Sequence, residues 1–179
     1  MRVVFCFLTM MLVLFSSILV MGQTPNLDER LVFAAGDGDL AAVKSLLAQG
    51  ANVNGGKGGY TPLMAAASVN DNVLENHKAV IITLIAKGAN VNAHILQGGN
   101  TVLMIAVTDG GPDIVEILIK NSANVNARNT EGLTALSFAS NHLAAINRTI
   151  KRFGIRGNDI ERRSEAEKLV KLLKAAGAK

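Results

Sequence analysis

The phrase Ala51-Asn52-Val53-Asn54 returns as Ala89-Asn90-Val91-Asn92 and again as Ala123-Asn124-Val125-Asn126. Its copies begin 38 and then 34 residues apart, and Gly177-Ala178 is a truncated echo at the end of the chain. Self-similarity at that spacing marks stacked structural units, each too small to bury its apolar face alone. An array of this kind encloses no active-site cavity by default; its product is an extended surface.

Upstream of each tail, by 22 residues in the first and third units, stands a second recurring phrase. It is Thr61-Pro62-Leu63-Met64, then Thr101-Val102-Leu103-Met104, then Thr134-Ala135-Leu136-Ser137, with Glu29-Arg30-Leu31-Val32 as the counterpart in the first unit. A threonine there can cap a helix, and Pro62 suits a first helical turn, where its missing N–H costs nothing. Small alanines follow, which lets neighbouring helices approach closely. Turn signals come next: Gly36-Asp37-Gly38-Asp39, Asn70-Asp71-Asn72 and Gly110-Gly111-Pro112-Asp113. Then apolar residues three and four apart (Val43 with Leu46-Leu47, Ile81 with Leu84-Ile85, Ile114-Val115 with Leu118-Ile119) give a second helix with one buried stripe. Gly50, Gly88 and Gly177 close it where a left-handed residue is wanted. The third unit has Asn121-Ser122 instead, which predicts a looser helix end.

These residues resemble the ankyrin repeat. Gly59-Tyr60-Thr61-Pro62-Leu63-Met64, Gly99-Asn100-Thr101-Val102-Leu103-Met104, Gly132-Leu133-Thr134-Ala135-Leu136 and the three Asn-Val-Asn tails follow its pattern from about Leu27 to Lys179. The resemblance implies an all-α solenoid of about four helix-turn-helix units, over about 27–57, 58–94, 98–130 and 131–179. It also implies a protein-binding surface made of finger loops and inner helices. Two positions depart from the family. Its histidine after the leucine is Val32, Met64, Met104 or Ser137 here, and its common aspartate before Val-Asn is asparagine in all three tails.

Two units are long. From capping threonine to tail alanine the third spans 22 residues, the second 28 and the fourth 44. The small excess falls around Val69 to Lys78 and the large one between His142 and Ser164. Leu143, Ile146, Ile150 and Phe153 sit at helical spacing, so the first helix of the fourth unit is expected to run on to about Phe153. Gly154 and Gly157 mark a turn, and Ile160 to Ala176 reads as a long returning helix. This hairpin carries Arg148, Lys151, Arg152, Arg156, Arg162 and Arg163 against Asp159 and Glu161. Such a bias is most often a solvated helix face. Its functional reading is a contact for an acidic protein surface or an anionic lipid headgroup, with the apolar stripe speaking for self-packing and against lipid insertion.

The chain begins with a short positive start, Met1-Arg2, followed by an apolar run to Phe15 broken only by Thr9, and then Ser16 to Gly22. That pattern is expected of a signal peptide over 1–22, leaving 23–179 as the folded domain. An uncleaved anchor is the rival reading, and only then would a membrane be a partner. Cys6 lies inside this segment, so a disulfide framework is excluded from the mature chain. A thiol-free domain suits a secreted protein or a bacterial periplasm. The formal charge of +4 is mild, and with no Trp and one Tyr there is little to stack on bases, so no nucleic-acid partner is expected.

Nothing in the residues calls for catalysis, a metal or a cofactor. His77, His94 and His142 fall in three different units with no second ligand at metal spacing. The expected role is that of a monomeric module binding another protein. An immunity-like inhibitor of a toxic enzyme, or an accessory to an envelope redox or stress enzyme, is the alternative. The residues expected to meet a partner are Lys57, Tyr60, His94, Ile95, Leu96, Arg128 and Asn129 in the fingers. Val69, Asp109 and His142 are expected on the inner helices, and Arg148, Lys151, Arg152 and Arg156 on the hairpin.

Overall fold

In a computed structural model, residues 26–68 and 74–179 are described. The small excess of the second unit and Val69 therefore lie largely outside the described residues. The rest is helical, with one isolated antiparallel bridge between His94 and Thr101. The first unit pairs α1 (Leu27–Gly36) with α2 (Leu40–Ala48), and the second α3 (Pro62–Ala67) with α4 (Leu74–Ala86). The third pairs α5 (Val102–Ile105), extended by a π turn over Ala106–Gly110, with α6 (Gly111–Lys120). The fourth pairs α7 (Ala135–Phe153) with α8 (Asp159–Ala175).

Each first helix starts because a side-chain oxygen takes up an orphan backbone donor. Asn26 accepts the Glu29 N–H at 2.8 Å, and Thr61, Thr101 and Thr134 accept the N–H three residues on at 3.3 Å. Ser137, at the family's histidine position, closes a reciprocal box by accepting the Thr134 N–H at 3.3 Å. Met104, at the same position, closes the box in the same way, its Sδ accepting the Thr101 N–H at 3.4 Å, and both it and Met64 are buried. The core is one continuous cluster running from Leu31 through Leu63, Leu84, Leu103 and Leu118 to Leu173, so each unit hides its apolar face against the next.

The recurring tail explains the register. Its first asparagine is local: Asn52, Asn90 and Asn124 each accept the N–H two residues on, at 2.9, 2.9 and 3.1 Å. This turn requires only an acceptor, so asparagine serves where aspartate is commoner. The second asparagine joins units. Asn54 donates to the Gly88 carbonyl at 3.2 Å and accepts the Asn90 N–H at 2.7 Å. Asn92 does the same to Ser122 and Asn124, at 3.2 and 2.7 Å. Asn126 donates to Gly177 at 3.2 Å and accepts the Lys179 N–H at 2.9 Å. Only a side chain with both a donor and an acceptor completes this clamp. In the first unit Asp28 makes the corresponding contact, accepting the Asn52 N–H at 2.7 Å.

The third unit's helix end is not looser than the others. Ser122 and Ala123 donate to Ile119 and Leu118, both at 3.0 Å, the same pair of bonds that Gly50 and Ala51 make to Leu47 and Leu46. What differs is the backbone: Ser122 adopts φ 67°, the left-handed conformation that Gly50, Gly88 and Gly177 occupy elsewhere. The bonds are kept and the strain falls on one Cβ. Gly110 is required for a different reason. A Cβ there would run into the Ala67 carbonyl, where the π turn of the third unit abuts the end of α3.

Ion pairs stitch the second helices. Lys78 on α4 reaches Asp113 on α6 and Glu75 on its own helix, both at 2.8 Å, and Lys168 on α8 reaches Asp113 at 3.5 Å. Hydrogen bonds to Asp113 and then Glu75 hold the Lys78 ammonium above its usual range, and the bond from Lys78 holds the Asp113 carboxyl below its own.

Candidate interaction surface

The finger loops are tied to one another through the backbone. Leu96 N–H donates to the Gly58 carbonyl at 2.9 Å, and Thr130 N–H donates to the Gly98 carbonyl at 3.1 Å. This stacking sorts the predicted contact residues. Ile95 turns inward and packs against the core, while Leu96 beside it is 74% exposed. Asn129 is consumed by its own loop and its neighbour: its Oδ1 accepts the Glu131 and Leu133 N–H groups, and its Nδ2 donates to Asn100 at 2.9 Å. Arg128 is exposed but donates to the Gly132 carbonyl at 2.7 Å. Lys57, Tyr60 and His94 are exposed. Asn92, His94, Gly99, Arg128 and Thr130 border a shallow groove of about 550 Å³ between successive fingers.

On the first-helix side, Gly36, Asp37, Thr108, Asp109, Asn141 and His142 are exposed and Ser68 is half-buried. Ser68 donates to Asp109 at 3.1 Å, linking the helix ends of the second and third units. Where the π turn meets the fourth unit, Thr108, Asp109, His142, Arg162 and Glu165 converge on a cleft of about 180 Å³. Asp109 and His142 were legible as candidates from their helical positions. Arg162 and Glu165 come from the returning helix, and only the fold brings them alongside.

His77 belongs to the interior. It is 6% exposed, and its ring lies 3.0 Å from the Gly36 carbonyl and against Gly38 of the first unit. Among the described residues no group of three or more His, Cys, Asp or Glu is placed to hold a metal ion. No described helix is long and apolar enough to cross a membrane.

The hairpin departs from the array at its base. Measured from the capping threonine, α5 and its π turn end at Gly110, whereas α7 continues about ten residues past the equivalent point. At 1.5 Å per residue this adds about 15 Å of helix. Ile146 is buried, but Phe153, expected to complete the packed stripe, is 52% exposed. Arg148, Lys151, Arg152 and Arg156 lie on this free end and make no ion pair among the described residues.

Comparison with known proteins follows the same geometry. Two family descriptions, "Ankyrin repeats (3 copies)" and "Ankyrin repeats (many copies)", match residues 15–95 and 84–139. These are ankyrin repeats. The Caenorhabditis elegans ankyrin repeat and KH domain-containing protein mask-1 is 38% identical over 118 residues, 65% of this chain and 4% of that protein. The human ankyrin repeat and KH domain-containing protein 1 is 36% identical over 111 residues, 61% of this chain and 4% of its own length. A fowlpox virus ankyrin repeat protein is 37% identical over 86 residues, 48% of this chain and 24% of the viral one. The chain thus spans a quarter or less of these relatives, which share with it the repeats. Ankyrin arrays are protein-interaction modules, and the fold of this chain is such an array.

Proposed function

We propose that this chain captures a partner protein across the finger tips and the first-helix face, as a monomer and without catalysis of its own. One observation carries the reading. Each finger runs directly into a capped helix, and both are held by backbone ties, yet Lys57, Tyr60, Leu96, Asp109 and His142 are left pointing outward from that rigid frame. Rigid backbone with exposed aromatic, aliphatic and polar side chains is what recognition needs, because little ordering entropy remains to be lost on binding. The cleft lined by Asp109, His142, Arg162 and Glu165 adds mixed charge, suited to a polar side chain of the partner.

The test is affinity capture with the full chain and with a Tyr60→Ala, Leu96→Ala, His142→Ala variant. The expected result is a partner retained by the native protein and lost by the variant at an unchanged melting temperature. An identical set of captured proteins would overturn the assignment. A captured enzyme whose turnover falls on binding would make the chain an inhibitor of the immunity type, and one whose turnover is kept or raised would make it an accessory subunit.

Residues 1–22 have the charge and apolar pattern of an export signal, which supports a secreted or periplasmic destination. The animal and viral relatives lend nothing to a bacterial envelope in particular. Sequencing the N-terminus of the native protein tests the export reading: a start near Gln23 is expected, and an intact Met1 in a cytosolic fraction would overturn it.

A further inference from the structure

We propose that the apex of the α7–α8 hairpin docks on an anionic phospholipid surface. Three large apolar side chains crowd the turn and face water: Phe153 is 52% exposed, Ile155 62% and Ile160 64%. Around them stand cations. Arg152 and Arg156 lie over the Phe153 ring at 5.1 and 5.4 Å, with Lys151 and Arg148 further back along α7. From Arg148 to Arg163 the sequence sets six Arg or Lys against two acidic residues; Arg162 is paired with Asp159 at 3.9 Å and Arg163 with Glu167 at 2.9 Å, which leaves Arg148, Lys151, Arg152 and Arg156 as the cations of the apex without an ion pair among the described residues. One of the two carboxylates is turned inward: Asp159 is 8% exposed and accepts the Arg156 N–H at 2.9 Å.

The shape selects the occupant. The patch is a convex tip, carried about 15 Å beyond the end of the neighbouring first helix. A stable protein interface needs about 800 Å² per partner with a fitted core, more than three half-exposed side chains at a point can supply. A bilayer asks for neither a fitted core nor a broad area. Phosphate oxygens meet the guanidinium forks, and the apolar tips enter the boundary between headgroups and acyl chains. Charge complementarity adds to the binding with each basic residue close to an anionic surface. The tip also escapes the stripe: Ile146 below it is buried, so the helices are held together without Phe153, Ile155 or Ile160.

The chain has no tryptophan, so Ile155→Trp places a single reporter at the apex, and Ile160→Trp repeats the measurement from α8. Full-length protein is titrated with vesicles of phosphatidylcholine alone and with vesicles containing about 30% phosphatidylserine. A local reporter separates the hairpin from the apolar residues 3–21 of the same chain. The expected result is a blue shift of the emission on the anionic vesicles only, reversed by about 0.5 M salt. Arg152→Ala with Arg156→Ala should weaken that binding about 10- to 30-fold, from two contributions of about 1 kcal/mol each. Emission unchanged on anionic vesicles, or shifted equally on neutral ones, would overturn the proposal. So would a blue shift given by a glutamate-rich peptide and not by vesicles, which would make the occupant an acidic protein segment. Partner capture through the fingers is a separate readout, so either assignment can fail while the other stands.

Discussion

The third and fourth units begin alike and end alike. Each opens on a capping threonine, and each finishes under the clamp of the preceding asparagine, Asn92 in one case and Asn126 in the other. Between those points they diverge. The third folds its first helix into one short α turn and a π turn, with Val102, Leu103, Met104, Ala106 and Val107 all buried. The fourth spends nineteen residues on α7, of which Ala135, Ala139 and Ile146 are buried. The difference teaches where the array is rigid by obligation and where it is free. Packing fixes the base of each unit, and whatever extends past it answers only to its own partner helix.

Substitutions sharpen that contrast in decreasing order of effect. Leu103 is 1% exposed between neighbours on both sides, so Leu103→Ala should cost about 2–5 kcal/mol, read as a fall in the midpoint of urea unfolding. An unchanged midpoint would show that the third unit is not the packed centre. Asn92→Ala removes both bonds between the third tail and the second, and should cost about 1–3 kcal/mol at two hydrogen bonds. Asn92→Asp keeps the acceptor for Asn124 but sets a carboxylate against the Ser122 carbonyl, so it should rescue little of the loss. Full stability of the aspartate variant would mean the donor half of the clamp is idle.

Ser122→Gly should run the other way, stabilising by about 0.5–1 kcal/mol, because glycine bears φ 67° without a Cβ penalty. A gain there but none for a glycine placed at Asn121 would confirm which residue takes the left-handed turn. Smaller still is the effect of Asp113→Asn, which leaves Lys78 with Glu75 alone. The Asp113 carboxyl titrates below its ordinary value in the fold, so its contribution is present above about pH 4 and lost as pH falls through the lowered value. Native protein should therefore lose melting temperature on acidification more steeply than the variant, and added salt should narrow the gap, since the side chain of Asp113 is 41% exposed. At the apex, Ile155→Trp should shift stability by less than about 0.5 kcal/mol, as befits a side chain outside the packing.

Much of this frame could be read from the residues in order. The threonine caps, the tail phrase and the glycines after each second helix are local chemistry repeated in register, and the periodic Leu143, Ile146 and Ile150 carried α7 to its observed end at Phe153. The features that escaped depend on residues distant in the chain. Asp28 makes its contact from a different kind of position, at the start of a helix, so no alignment of phrases would pair it with Asn52. At the third helix end, expected to be looser for want of a glycine, Ser122 stands directly before the tail alanine as Gly50 and Gly88 do, and it takes the left-handed conformation because the bonds closing the helix are made from that position whatever its side chain. Among the contact candidates, Ile95 and Leu96 were indistinguishable as text. The hydrogen bond from Leu96 to the Gly58 carbonyl fixes the finger, and with Ile95 packed on the core Leu96 is left outside.

The clamp of Asn126 spans 51 residues to Gly177 and 53 to Lys179, where that of Asn92 spans 30 and 32. Its geometry is indifferent to the amount of chain between its ends. Between a capping threonine and the next tail, this protein therefore has a splice point that takes up 22 more residues in the fourth unit than in the third with the clamp kept. The fourth unit shows such an addition already in place, and a foreign loop grafted at the same point would inherit a mount that is already anchored at both feet.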